Sequence, residues 1–170
     1  MMSDACSNSN SDSDSSFMAQ ALLLAERANQ LNEVPVGAVV VKNGEVIGEG
    51  WNNPISGCDP TGHAEIMALR AAAKHLDNYR LPECVLYVTI EPCTMCAGAI
   101  VHARIERVVF GALEPKAGAV VSNQQIFDGD QLNHRVEYSG EVMAEACRQK
   151  ISDFFKRRRK EKKVERDALR

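Results

Sequence analysis

The spacing of apolar residues changes after residue 16. Residues 1–16 are mostly Ser, Asp and Asn with almost nothing to bury, and they predict a disordered leader. From Phe17 onward, apolar positions recur at intervals of three and four, which predicts an amphipathic first helix that ends before Pro35. The pattern therefore divides the chain into a leader, residues 1–16, and one folded domain, residues 17–165.

A hairpin follows the first helix. Residues 36–42 and 45–51 flank Asn43-Gly44, a dipeptide that tolerates positive φ and is typical of a two-residue hairpin turn. A loop rich in Asn, Pro, Gly and Asp, residues 52–62, separates this hairpin from an Ala-rich segment, residues 63–75, which predicts a second helix.

The remainder of the domain alternates strands with helices. The pattern predicts a buried strand at residues 84–90, a helix at 93–103, a strand at 107–110, a short edge strand at 136–138 and a closing helix at 141–163. Helix, hairpin, helix, strand, helix, strand is the order of a layered α/β domain whose helices cover the sheet.

The composition excludes several classes of protein. The chain has 170 residues, 45% of them hydrophobic, which is enough for one buried core. Its longest apolar runs fall far short of the roughly 20 residues that a membrane helix needs, and the chain does not open on a secretory signal pattern. We therefore expect a cytoplasmic protein without a membrane contact, in which the six cysteines serve a metal or catalysis rather than disulfides.

Charge is distributed unevenly along the chain. The net charge is −3, but residues 150–170 hold ten Lys and Arg against four Asp and Glu, a local charge of +6. The rest of the chain, with ten basic and nineteen acidic residues, carries −9. An acidic body with a basic end predicts a polyanionic partner that is met at the C-terminal end.

The candidate chemistry lies in His63-Ala64-Glu65 and in the run from Pro92 to Cys96. Cys93 and Cys96, three positions apart at a helix start, place two sulfurs on one face, where the helix dipole favours thiolates. With His63 they form a three-ligand set that leaves a fourth position for water, the pattern of catalytic zinc. Glu65, two positions beyond His63, does not share its helix face, and we expect it to act as a proton shuttle.

These motifs resemble those of the zinc-dependent nucleoside deaminases, which carry an H-x-E…P-C-x-x-C signature. The similarity is closest to the bacterial tRNA-specific adenosine deaminases, and it extends from Phe17 to Lys163. The matching segments are residues 33–38 (EVPVGA), 48–52 (GEGWN), 59–66 (DPTGHAEI), 87–93 (YVTIEPC) and 133–136 (NHRV).

The resemblance implies a fold and an activity. The implied fold is an α/β/α three-layer sandwich around a five-stranded mixed sheet, cytidine-deaminase-like, assembled as a homodimer with one Zn²⁺ per subunit. The implied reaction is the hydrolytic deamination of adenosine to inosine at the wobble position of a tRNA anticodon stem-loop.

The resemblance also assigns roles to individual residues. His63, Cys93 and Cys96 match the zinc ligands, and Glu65 matches the proton shuttle. Residues that match the family's substrate contacts are Asn52 on the base, Val36, Ala64 and Asn133 in the nucleotide pocket, and Glu114 and Lys116 in a loop that touches the sugar. Glu114 stands where the family often has Asp, so the side chain at this position is one methylene longer.

The basic end of the closing helix is the candidate RNA-binding segment. Its candidate residues are Phe154, Phe155, Lys156, Arg157, Arg158 and Arg159. The functional interpretation is phosphate binding beside a stem-loop, where unpaired bases are splayed out. The alternative is an ordinary solvated helix terminus that the helix dipole favours.

Three other functions compete with this interpretation. A thioredoxin-like oxidoreductase also carries C-x-x-C at a helix start, but it leaves His63 and Glu65 unexplained. A structural zinc module would take Cys58 or Cys84 as a fourth ligand and would bind a partner rather than catalyse. A free-nucleoside or guanine deaminase would share the zinc ligands and need no basic segment.

Overall fold

The computed structural model of the protein describes residues 5–169. The helices are α1 (Ala5–Gln30), α2 (Ala64–Leu76), α3 (Thr94–His102) and α4 (Ala144–Ala168). The strands are β1 (Gly37–Lys42), β2 (Glu45–Trp51), β3 (Cys84–Ile90), β4 (Arg107–Ala112) and β5 (Glu137–Ser139), with a 3₁₀ turn at Ile126–Asp128. None of the helices in this part of the chain combines the length and the apolarity that a membrane crossing requires.

Within residues 5–169 the strands form one five-stranded sheet in the order β2-β1-β3-β4-β5. The β1–β2 hairpin turns at Asn43-Gly44, whose φ angles of 51° and 78° match the turn predicted for this dipeptide. β1 pairs antiparallel with β2 and β3, whereas β3, β4 and β5 run parallel, so the sheet is mixed.

Helices cover both faces of the sheet. The face under α1 and α4 buries Met18, Ala21 and Cys147 against Val39, Tyr87 and Val109. The face under α2 and α3 buries Ala68, Leu69 and Ile100 against Val40, Leu86 and Phe110. Neighbouring residues such as Val39 and Val40 serve opposite faces, because side chains alternate along a strand. The predicted three-layer α/β/α sandwich is confirmed.

The close approach of α2 to β2 depends on Gly50. A Cβ atom at this position would collide with the carbonyl oxygen of Ala64 and the amide nitrogen of Ala68. Because Gly50 carries none, the first turn of α2 lies directly on the end of β2. This contact brings the start of α2 to the edge of the sheet where β2 ends and β1 begins.

The N-terminal segment differs from the sequence prediction. Helix α1 begins at Ala5, so the disorder predicted for residues 1–16 is wrong for residues 5–16; residues 1–4 lie outside the described part of the chain. The predicted boundary between leader and domain, at residue 17, therefore falls inside a continuous helix.

Asp14 holds this part of α1 to the sheet. Its side chain is buried, with 6% exposed, and its carboxylate accepts hydrogen bonds from both Arg107 Nη atoms at 2.7 and 3.1 Å and from the Tyr87 hydroxyl at 2.9 Å. The partners lie 73 and 93 positions away along the chain. Composition alone therefore could not reveal them, although charged hydrogen bonds of this kind stabilise a fold.

We expect Asp14→Asn to lower the free energy of unfolding by roughly 2 kcal/mol, because Arg107 loses its charged acceptor in a half-buried site. Asp12→Asn is the matched control, since Asp12 lies exposed on the same helix. Urea unfolding of both variants and the wild type measures the difference. Equal stability of the two variants would contradict a structural role for Asp14.

Candidate active site

His63, Cys93 and Cys96 come together at one edge of the sheet. His63 is the N-cap residue of α2, Cys93 is the N-cap residue of α3, and Cys96 lies in the first turn of α3. The Nδ1 atom of His63 lies 3.7 Å from Cys93 Sγ and 3.5 Å from Cys96 Sγ, and all three ligand atoms lie within 4.8 Å of one another. The structure thus brings together the three predicted metal ligands, which we call the metal cluster.

The spacing of the metal cluster fits a zinc ion. Tetrahedral zinc with one imidazole and two thiolate ligands separates nitrogen from sulfur by about 3.6 Å, which matches the two distances found here. Among the residues that the structure describes, the metal cluster is the one group of three or more His, Cys, Asp and Glu side chains whose ligand atoms lie close enough together to hold a metal ion. Three protein ligands leave a fourth coordination position for a water or a substrate atom.

The electrostatics of the cluster favour a thiolate at Cys93. The contact with the Cys96 thiol and the contact with His63 lower the pKa of Cys93 to about 4, although burial opposes this shift. The contact with Cys93, together with burial, raises the pKa of Cys96, while the same Cys93 contact raises the pKa of His63. Because zinc binds thiolates and neutral imidazole, metal binding would compete with protons for all three side chains.

Glu65 lies beside the metal cluster without belonging to it. The residue is 3% exposed, in the first turn of α2, and its carboxyl group contacts the Cys96 side chain. Burial raises the pKa of Glu65 to about 7. At neutral pH such a group can both accept and release a proton, which is what a general acid and base requires.

One wall of the site is held together by backbone hydrogen bonds. The amide N–H of Asn52 donates to the carbonyl oxygen of Val36 at 3.1 Å, and the N–H of Ala64 donates to Asn52 Oδ1 at 2.9 Å. Asn52 itself is buried. Three residues predicted to contact the substrate therefore form one connected wall next to His63.

A second wall comes from the loop after β4. Glu114 Oε1 accepts the N–H of Lys116 at 3.0 Å, which turns the chain tightly at this point. Lys116 lines a cavity of about 340 Å³ together with Cys93, Met95 and Asn123. The predicted loop residues therefore lie on the cluster's side of the domain.

Asn133 does not join the other predicted pocket residues within this chain. Its Oδ1 accepts a hydrogen bond of 2.6 Å from Arg104, which follows the last turn of α3. Because Cys93 begins α3 and Arg104 follows its end, the nine-residue helix separates the two by about 13 Å. The prediction of a pocket role came from the motif around Asn133, which carries no information about this separation.

Two residues of the predicted RNA-binding segment, Phe154 and Arg157, pack against the domain. Phe154 is buried, and the guanidinium of Arg157 lies 5.3 Å from the centre of its ring. Arg157 Nη2 also donates to Asn32 Oδ1 at 3.3 Å, just beyond the end of α1. Phe154 and Arg157 therefore hold α4 to α1, whereas Phe155 is exposed.

Several cations of α4 are paired along the helix itself. Lys156 lies 3.7 Å from Asp153, and Arg158 lies 2.8 Å from Glu161. Between residues 156 and 163, the cations that form no ion pair with any described residue are Arg159, which belongs to the predicted segment, and Lys160, Lys162 and Lys163, which follow it.

These cations project past the edge of the sheet that carries the metal cluster. Lys150 pairs with Glu26 and Arg157 with Asn32, so α4 runs beside α1 in the same direction. Helix α1 ends where the chain turns into β1, at the cluster's edge of the sheet. The eleven residues of α4 after Arg157, about 16 Å of helix, therefore continue past the end of α1.

Three buried polar residues near the site had no role predicted from the sequence. Glu33 accepts the N–H and hydroxyl of Ser56 at 2.7 and 3.0 Å, and Thr89 accepts the N–H of Gly37 at 3.2 Å. Glu91 accepts several N–H groups of the loop after β4. One signal was available for Glu91, because an acidic residue directly after an apolar strand and before Pro92 is costly to bury without partners.

A comparison with known families agrees with this geometry. Residues 11–112 match the model of the cytidine and deoxycytidylate deaminase zinc-binding region. That range includes His63, Glu65, Cys93 and Cys96. The match therefore covers the whole metal cluster and the buried carboxyl group beside it.

Similar proteins extend the likeness to almost the full chain. A tRNA-specific adenosine deaminase from Haemophilus influenzae is 54% identical over 160 residues, 94% of this chain and 92% of that protein. A solved structure from work on A-to-I editing by tRNA:A34 deaminases is 42% identical, with a TM-score of 0.77 over 79% of this chain and 97% of the other. A guanine deaminase from Bacillus subtilis is 44% identical, with a TM-score of 0.55 over 58% of this chain and 63% of that one.

We expect Cys93→Ala to abolish stable zinc binding, because two protein ligands rarely hold zinc tightly. Metal analysis of the purified variant by plasma emission spectroscopy measures the zinc content per chain. Cys58→Ala is the matched control, since Cys58 is an exposed thiol in a neighbouring loop. Full zinc occupancy in the Cys93 variant would contradict the assignment of the ligands.

Proposed function

Since this chain belongs to the zinc-dependent cytidine and deoxycytidylate deaminase family, we propose that it deaminates adenosine to inosine at the wobble position of a tRNA anticodon. The observation that carries the proposal is the metal cluster with the buried Glu65 beside it. The choice of tRNA as substrate rests on the similarity to the Haemophilus influenzae enzyme and on the basic end of α4.

His63, Cys93 and Cys96 would hold one zinc ion per chain. When bound, the ion supplies Lewis-acid activation of water near neutral pH. A C-x-x-C thiolate at a helix N-terminus fits a redox site as well as a metal site. The position of His63 Nδ1, 3.7 and 3.5 Å from the two sulfurs, favours the metal site.

Glu65 is the proton shuttle of the proposed reaction. It takes a proton from the attacking water and delivers it to N1 of adenine, while the new C–O bond forms at C6. It then takes the proton of the new C6 hydroxyl and passes it to the amino group, so that the C6–N bond breaks, ammonia leaves and inosine remains. A carboxyl group with a pKa near 7 is suited to both transfers.

The wall of Val36, Asn52 and Ala64 would bind the purine. Because Asn52 Oδ1 is already occupied by the N–H of Ala64, its amide N–H₂ group is left to donate to an acceptor on the base. Glu114 and Lys116, from the loop on the other side of Cys93, would meet the ribose and a phosphate. Asn133 would contact the nucleotide only if it reached the pocket from a second copy of the chain; otherwise it has a different role.

The anticodon stem-loop would lie along the projecting half of α4. Lys156, Arg158 and Arg159 remain candidates for phosphate contacts, with Phe155 as an exposed apolar neighbour. Lys160, Lys162 and Lys163 extend this set, because none of them is neutralised by a described partner. Phe154 and Arg157 serve mainly to hold α4 in place.

We propose further that the enzyme is a homodimer. Helices α2 and α3 form a surface cavity of about 460 Å³, lined largely by apolar side chains such as Ile66, Leu69, Met95 and Ala99. A second copy of the chain would cover this largely apolar surface and remove it from water. A tRNA substrate also implies that the protein works in the cytoplasm.

The function is tested with zinc-loaded protein and an anticodon stem-loop RNA that carries adenosine at the wobble position. We expect inosine in the stem-loop and no turnover of free adenosine, cytidine or guanine, measured by nuclease digestion and chromatography. Glu65→Gln should keep its zinc and lose activity by a factor on the order of 10²–10⁴, the usual contribution of a general acid and base.

Glu49→Gln is the control for this variant, since Glu49 is exposed on β2. Near wild-type turnover by the Glu65 variant would refute its assigned role. Turnover of free guanine with the RNA unchanged would keep the metal cluster and replace the proposed substrate.

The role of the projecting helix is tested by salt dependence. We expect the double variant Lys162→Ala/Lys163→Ala to bind the stem-loop more weakly. The slope of log affinity against log salt concentration should become less steep by about 0.7 to 0.9 for each lost phosphate contact. Lys42→Ala/Arg80→Ala is the control of equal charge, at the opposite edge of the sheet. Fluorescence anisotropy over a range of salt concentrations measures both slopes, and identical slopes for the two variants would remove α4 from the interface.

A further inference from the structure

The Glu91 carboxylate accepts several hydrogen bonds from residues 113–122, a segment that we call the 113–122 loop. Glu91 is 2% exposed. Its Oε1 atom accepts the N–H groups of Val120, Val121 and Ser122 at 3.1, 2.7 and 2.8 Å. Its Oε2 atom accepts the N–H of Glu114 at 3.0 Å and the hydroxyl of Ser122. Five donors from one loop therefore converge on one buried side chain.

The same loop is joined to the residues around the metal cluster. Gly118 forms an isolated antiparallel β-bridge with Cys93, and the N–H of Ala119 donates to the carbonyl oxygen of Pro92 at 2.9 Å. A Cβ atom at Gly118 would collide with the Glu91 carboxylate. The loop can thus approach Glu91 this closely only because residue 118 is a glycine.

The part of the loop between these anchors faces the cavity beside the metal cluster. Lys116 and Ala117 line the cavity of about 340 Å³ that also contains Cys93 and Asn123. Glu114, which binds the N–H of Lys116, is itself held by Glu91 through its own N–H. Any shift of the Glu91 contacts would therefore displace Lys116 relative to Cys93.

We propose that Glu91 is a positioning residue for nucleotide binding: it sets the 113–122 loop so that Glu114 and Lys116 meet the ribose and phosphate of the substrate. This inference rests on the proposed function and adds to it a residue that need not touch the substrate. Only an ionised carboxylate suits the position, because it offers about four acceptor sites and no donor, whereas an amide replaces one oxygen with two N–H donors.

The test compares Glu91→Gln with wild type on the stem-loop RNA. We expect zinc content to be unchanged and KM to rise about tenfold, the factor for loss of about one charged hydrogen bond, while kcat stays within a few fold. Glu91→Asp should restore part of the KM, since it keeps the carboxylate. Glu106→Gln, an exposed residue with the same chemical change, is the control.

A double-mutant cycle with Lys116→Ala separates positioning from general stability. If Glu91 acts through the loop, the double variant should have a KM no higher than that of the worse single variant, because the Lys116 contact is already lost. A purely structural role for Glu91 would give additive effects. If Glu91→Gln does not fold, Gly118→Ala perturbs the same contact from the loop side and should also raise KM.

The outcomes distinguish this inference from the proposed function. A wild-type protein that leaves the stem-loop unchanged would overturn the proposed function. A wild-type protein that edits the stem-loop, with a Glu91 variant that lowers kcat or zinc content and leaves KM unchanged, would overturn the positioning role alone.

Discussion

The N-termini of α2 and α3 lie at the same edge of the sheet, where His63 and Cys93 are the N-cap residues. Neither side chain makes the usual hydrogen bond to its own helix; each faces the metal cluster instead. The first turn of α2 is capped from a distance, because Asn52 Oδ1 accepts the N–H of Ala64. The helix ends can therefore supply metal ligands and dipoles that favour thiolates, while in α2 a distant side chain accepts the first N–H of the helix.

Buried acceptors hold the surroundings of the cluster. Glu33 binds the N–H of Ser56, Thr89 binds that of Gly37, and Glu91 binds those of the 113–122 loop. A polar side chain is tolerated in a protein interior when it is hydrogen-bonded, and each of these three accepts from a loop that forms a pocket wall. Glu33 does so through Oε1, while its buried Oε2 has no partner among the described residues. The loops at the site are thus attached to the core by side chains that would be unfavourable there without them.

Helix α4 combines two functions along its length. Its first half packs on α1 and the sheet through Cys147, Phe154 and the Lys150–Glu26 ion pair. Its second half carries most of the basic residues and projects past the edge with the metal cluster. The rest of the chain is acidic and would repel a polyanion. A polyanion that approaches the cluster would therefore contact the basic half of α4 first.

Much of this protein follows from local sequence. Asn43-Gly44 determined the hairpin, apolar periodicity determined the order of helices and strands, and the spacing of His63, Glu65, Cys93 and Cys96 determined the metal chemistry. Each of these signals involves neighbours along the chain or a motif with a defined geometry. Tertiary structure alone decided that Asp14 holds a helix where a disordered leader was expected, because its partner Arg107 is 93 positions away.

The tertiary structure likewise decided the position of Asn133, which accepts a hydrogen bond from Arg104 just after α3, and the division of α4 into a packed and a projecting half. It also gave Glu91 its hydrogen bonds, which close a loop 23 to 31 positions further along the chain. The common reason is a difference in range. A residue's neighbours along the chain specify its local conformation and chemistry, whereas the packing of distant segments decides which groups satisfy a buried charge and whether a side chain lies near a site.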